Sequence, residues 1–191
     1  MKKSYIFCLL ALFTHISMAQ IDPNKEWSMS YLLTQLFPSI DTVEIKSNDQ
    51  TYQIIKLSKG VTVFQNKEST LMNDVPKDSS DKKYPKITLY KADEIFQLFQ
   101  DSISLYINPG TSLADFIFFM YITPDIKGNI KDIVFIYISD QNIPGYVLSN
   151  IEREIKIKSR LIFEITPSTK IDDAMIYSCM IRKDGLIPLG N

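Results

Sequence analysis

Histidine, the commonest general base and a frequent zinc ligand, occurs once in this sequence, as His15. The two cysteines are Cys8 and Cys179. His15 and Cys8 both lie in the first 19 residues, which carry the marks of a cleaved export signal, described below. After cleavage neither a Ser–His–Asp nor a Cys–His hydrolase can be built from what remains. No metal site is expected.

Carboxylates are therefore the side chains that could still act as acid and base. Asp132 interrupts an apolar segment, and we expect its charge to be balanced by Lys127 or Lys131 near a strand end. Adjacent strand residues point to opposite faces, so neighbouring acids of the carboxy-terminal region would not meet as a catalytic pair. No catalytic residue is assigned. The acids considered are Asp132, Glu152, Glu154, Glu164, Asp172 and Asp173.

The glycines give no sign of a nucleotide cofactor. None of the six shows the spacing G-x-G-x-x-G or G-K-[ST] that lets backbone amides approach phosphates. We therefore expect no cofactor.

The amino terminus has the order of a secretory signal. Lys2 and Lys3 precede an apolar run over residues 5–13, and the small residues Ser17 and Ala19 follow. The run is shorter than the roughly 20 residues that a membrane-spanning helix needs. We expect cleavage after Ala19, a periplasmic or secreted protein and no membrane anchor.

Cleavage leaves 19 basic and 22 acidic side chains, a net charge of −3. Nucleic-acid binding would call for clustered positive charge, so it is not expected. About 172 residues suit one domain with a small extension. Cys179 alone cannot form an internal disulfide.

The region 20–86 predicts a helix and a hairpin. Pro23 suits the first position of a helix, which Pro38 ends. Residues rich in β-branched and aromatic side chains follow over 42–45 and 51–65, with a turn at 58–60. The charged and proline-flanked segment 73–86 predicts a solvated loop, which divides 20–86 from 87–191.

The region 87–191 predicts helices at 91–104 and from Pro144 onward, each with an apolar stripe. Glu152 is placed off the stripe of the second helix, which runs through Val147, Leu148, Ile151 and Ile155. Two apolar runs, Phe116–Ile122 and Ile130–Ile138, surround a turn and predict a β-hairpin. The segment 155–163 fits either the helix or a strand, and a last strand is predicted over 174–181.

The order strand, strand, helix, strand and its turn residues resemble the TonB C-terminal domain over about residues 103–190. The resemblance implies an α+β fold with an antiparallel sheet, in which Phe116–Thr123 is the central strand. It rests on these segments: 116–123, 125–129, 130–134, 143–148, 163–167 and 173–182.

A strand apolar at every position must be covered on both faces. The helix from Pro144 covers one face of Phe116–Ile122, and the helix from Lys91 or that from Pro23 is expected on the other. The strand Ile130–Ile138 would be hazardous as an open edge. We expect strands from 42–65, or a second copy of the chain, to pair with it.

These expectations favour a non-enzymatic protein-interaction module of the cell envelope, which binds a partner protein or peptide segment by adding a strand to a sheet edge. The predicted edge is the last strand, with Met175, Tyr177, Cys179 and Ile181 on one face. Cys179 is expected to pack rather than react. A small-ligand carrier and a secreted hydrolase using two carboxylates are the alternatives, and a homodimer is left open.

Overall fold

The computed structural model describes residues 39–69, 85–106, 117–138, 143–166, 176–182 and 185–189. The predicted signal peptide, the helix from Pro23, most of the loop 73–86, Asp172, Asp173 and Met175 lie outside these residues. The described part is a mixed α+β fold with a large antiparallel sheet and two helices. The strands are β1 Ser39–Ser47, β2 Gln50–Leu57, β3 Val61–Asn66, β4 Lys86–Leu89, β5 Ile117–Pro124, β6 Ile130–Ile138, β7 Leu161–Glu164, β8 Tyr177–Arg182 and β9 Gly185–Pro188, and the helices are α1 Ala92–Ile103 and α2 Gly145–Lys158.

The large sheet has the order β1-β2-β3-β6-β5-β8-β9. Its middle is the predicted hairpin of β5 and β6, in which Phe119 faces Ile136 and Met120 faces Phe135. Strand β5 lies between β6 and β8, as expected for a central strand. Strand β3 pairs with the other side of β6, so residues 61–66 protect that strand from being an edge. The sheet therefore runs across the predicted division at residues 86 and 87.

Both helices pack on the same face of the sheet. Phe99 of α1 and Leu148 of α2 are fully buried in a core with Phe118, Met120 and Phe135. The expectation that the helix from Lys91 covers the opposite face is wrong, because the apolar stripes of α1 and α2 converge on one core.

The opposite face of the sheet is buried too. It is formed by alternate residues of β2, β3, β5 and β6, and each of these side chains is at most 5% exposed. Neither described helix packs on it. The cluster consists of Leu57, Val61, Val63, Phe119, Tyr121, Val134 and Ile136.

A second, two-stranded sheet joins β4 to β7 and resolves the segment 155–163 into a helix end and a strand. The β5–β6 turn lies against it: the Leu161 N–H donates to the Gly128 carbonyl at 2.8 Å. Gly128 has φ 86°, and a Cβ there would lie 2.0 Å from the Leu161 oxygen. Glycine at this position therefore permits both the turn and the close approach.

Candidate functional site

The predicted binding strand, β8, is not a sheet edge. It pairs with β5 on one side and with β9 on the other. Tyr177, Cys179 and Ile181 share a face as predicted, but that face is turned into the core and they are at most 6% exposed. The prediction of an open edge there is wrong, because the short strand β9 covers β8. Burial also raises the pKa of Cys179 to about 12, which fits a packing role.

The large sheet ends at β1 and β9, and the two edges differ in length and protection. Strand β9 has four residues, ends at Pro188, which has no backbone N–H, and contacts α1. Strand β1 has nine residues and no proline. Among the described strands it pairs only with β2. The longer and less protected edge is therefore β1.

The turn between β1 and β2 fixes which backbone groups of β1 face outward. Asn48 and Asp49 both have positive φ, 52° and 60°, as in the two-residue type I′ hairpin. In such a hairpin the flanking pair, Ser47 and Gln50, exchanges hydrogen bonds, and bonded pairs then alternate with non-bonded ones. The N–H and C=O groups of Thr42, Glu44 and Lys46 consequently point away from β2, toward the outer edge.

Charged and apolar side chains alternate along this edge. Glu44 accepts from Lys67, with 2.8 Å between Oε1 and Nζ, and from Gln53 Nε2. The Lys67 ammonium, with a smaller effect of Gln53, holds the pKa of Glu44 below its usual value. Lys46 has no ion pair within the described residues. Val43, on the helix side, is 41% exposed.

A second polar cluster lies inside the fold, beneath α2. Glu152 is 1% exposed, and its Oε1 lies 2.5 Å from Lys156 Nζ. The Tyr52 hydroxyl, close to Glu152, donates to Gln50 Oε1 at 2.8 Å. The placement of Glu152 off the helix stripe was wrong: it follows Leu148 by four residues and therefore shares its face. This spacing of four residues is the feature of the sequence that indicates the inward orientation of Glu152.

Asp132 belongs to the same cluster. The cation whose charge lowers the pKa of Asp132 is Lys156, and not Lys127 or Lys131 as expected. Burial raises the pKa of Asp132 and of Glu152 above the ordinary carboxyl value, and the Asp132 charge raises that of Glu152 further. One oxygen on each, Asp132 Oδ2 and Glu152 Oε2, is buried with no hydrogen-bond partner among the described residues, as is Thr123 Oγ1.

This cluster is poorly placed for hydrolysis. Glu152 is closed off from solvent and one of its oxygens is bound by Lys156, so it cannot reach a sugar or a peptide in this arrangement. Among the described residues, no three His, Cys, Asp or Glu side chains are grouped so as to hold a metal ion. The cluster has the character of a buried, partly satisfied charge network.

No family model matches this chain, and no curated protein or solved structure matches it either. The resemblance to the TonB C-terminal domain therefore stays a prediction. None of the helices in the described part of the chain combines the length and apolarity needed to cross a membrane.

Proposed function

We propose that this protein is an exported, non-enzymatic interaction module of the cell envelope that binds an extended protein segment along the outer edge of β1. The observation that carries the proposal is the row of outward backbone groups at Thr42, Glu44 and Lys46, which has no partner among the described strands. Strand addition uses such groups as its main source of affinity. The proposed mode of binding is the one predicted from the sequence, but the edge that binds is β1 and not β8.

Two further features support the proposal apart from the position of the edge. The order of charged, apolar and small residues over 1–19 favours export, and the resemblance to TonB C-terminal domains, which covers about residues 103–190, favours strand addition as the mode of binding. The carboxylates give less support to the alternative of a hydrolase that uses two carboxylates, since the side chain of Glu152 lies on the buried face of α2.

The test uses a pair of variants at one position. Glu44→Pro removes an outward N–H without removing any backbone hydrogen bond to β2. Glu44→Ala keeps that N–H and loses the same side-chain contacts with Lys67 and Gln53. A photoreactive amino acid at Val43, an exposed position, would report a neighbouring chain in the producing cells.

We expect a protein adduct at position 43 in the wild type and in Glu44→Ala, and its loss in Glu44→Pro. Circular dichroism and thermal unfolding of both variants check that the fold is retained. An adduct of equal yield in all three proteins, or no adduct in any, would refute strand addition at this edge.

A further inference from the structure

The outer edge of β1 carries opposite charges in a self-complementary order. The side chains of Glu44 and Lys46 lie on the same face of the strand, two residues apart. Glu44 is paired with Lys67, while Lys46 makes no ion pair among the described residues. A strand with this order, placed antiparallel beside a copy of itself, can bring each acid opposite a base.

We propose that the segment bound by β1 is β1 of a second copy of this chain, paired antiparallel about a two-fold axis that passes between the two Ile45 residues. The proposal rests on the proposed function, because it names the partner of the same edge. Glu44 of each copy then faces Lys46 of the other, and both residues use their outward N–H and C=O groups. The interface is isologous and closes as a dimer.

Other registers are less favourable. In any such pairing, each residue with outward N–H and C=O groups must lie opposite another residue of this kind, with the side chains of the pair on the same face. The two-fold axis must therefore pass through a residue position, and the other registers differ from this one in whole-residue steps. An axis at Glu44 opposes two acids, and one at Lys46 opposes two bases. An axis at Val43 sets Glu44 against Thr42 and brings the other end of the pairing to the irregularity between Ser39 and Asp41. The Ile45 register alone among these four pairs both charges.

The helix side of the edge agrees with this register. Ile45, which is partly buried against the core, meets Ile45 of the other copy on the axis. Val43 meets Ser47 of the other copy, so a side chain that is 41% exposed gains cover. Apolar contact on one face and two ion pairs on the other would fix both the register and the orientation.

The experiment exchanges the charges one at a time. The purified protein and its variants Glu44→Lys and Lys46→Glu are compared by sedimentation velocity across a concentration series. Each variant sets like charges opposite each other twice, so we expect its dimerisation to weaken about tenfold or more. Glu68→Lys, an equal change of charge at an exposed turn residue, is the control and should leave dimerisation unaltered.

An equimolar mixture of the two variants gives the decisive result. One variant then presents lysine at 44 and 46 and the other glutamate at both, so the mixture should form heterodimers at concentrations at which each variant alone is monomeric. A mixture that stays monomeric would overturn the register, and a wild-type dimer insensitive to both changes would place the interface elsewhere.

The outcome also separates this inference from the proposed function. A wild-type protein that is monomeric at every concentration, but whose position 43 still crosslinks to a different protein in a Glu44→Pro-sensitive manner, would overturn self-pairing and leave strand addition standing. A monomer with no such adduct would overturn both. Circular dichroism of each variant excludes unfolding as the cause of a lost dimer.

Discussion

The contact between the β5–β6 turn and β7 predicts a large effect of one methyl group at Gly128. An alanine there would adopt φ near 86°, in the left-handed region, at a cost of about 1–2 kcal/mol. Its Cβ would also lie 2.0 Å from the Leu161 carbonyl oxygen, so the turn must move away from β7. That movement would break the hydrogen bond from the Leu161 N–H to the Gly128 carbonyl, which contributes about 1 kcal/mol to the free energy of unfolding.

We therefore expect Gly128→Ala to lower the free energy of unfolding by about 2–4 kcal/mol, the sum of strain, steric displacement and the lost bond. Gly185→Ala is the matched control, because φ there is 133° and no described atom lies within 4 Å of the new Cβ. It should cost about 1–3 kcal/mol, from backbone strain alone.

Urea denaturation followed by circular dichroism measures both variants, with the m-value as a check on two-state behaviour. If Gly128→Ala costs no more than Gly185→Ala, the close approach of the turn to β7 is not a constraint, and the reasoning from its geometry fails.

Three further predictions concern buried polar groups. Because burial raises the pKa of Glu152, the folded state binds its proton more tightly than the unfolded chain does, so this group's contribution to stability falls as pH rises from the ordinary carboxyl pKa through the raised one. Glu152→Gln should flatten that part of the profile, as seen by denaturation at a series of pH values; an unchanged slope would contradict it. Thr123→Val removes a buried hydroxyl that has no partner among the described residues and should raise the free energy of unfolding by about 1 kcal/mol, whereas a loss would show that the hydroxyl is satisfied. Cys179, with no exposed surface, should react with a thiol reagent only after unfolding, and fast labelling of the native protein would exclude the packing described for β8.

The sequence predicted elements whose signal is local. The β5–β6 hairpin follows from two apolar runs around a turn, and α1 and α2 follow from apolar residues at helical spacing. The need to cover Ile130–Ile138, which is apolar on both faces, predicts that strands from 42–65 or a second copy of the chain pair with it, and in the structure β3 does so. Each of these predictions depends on the order of apolar residues within a single helix or strand.

The β1 edge proposed for binding and the buried Asp132–Glu152 cluster are not predicted from the sequence, because both depend on short elements and on tertiary contacts. Strand β9 has four residues, one of them proline and one glycine, so no run of strand formers marks it. If β9 is left out, β8 is the last strand of the sheet, and the sequence predicts the open edge there and not at β1. The approach of Asp132 to Glu152 likewise needs the position of α2 on the sheet, which no spacing in the sequence specifies.

Strand β1 is held in place from the helix side. Ser47 and Ser149 of α2 share a hydrogen bond of 2.6 Å between their hydroxyls, and Arg153 donates to Asn48 at 3.2 Å. Gly145, at the start of α2, packs against Ile45 so closely that a Cβ would lie 2.2 Å from its Cδ1. These contacts order β1 in the unbound protein. The free energy of binding a strand is therefore not reduced by the entropy lost in ordering β1. The same helix that buries Glu152 therefore prepares the edge at which we place the binding function.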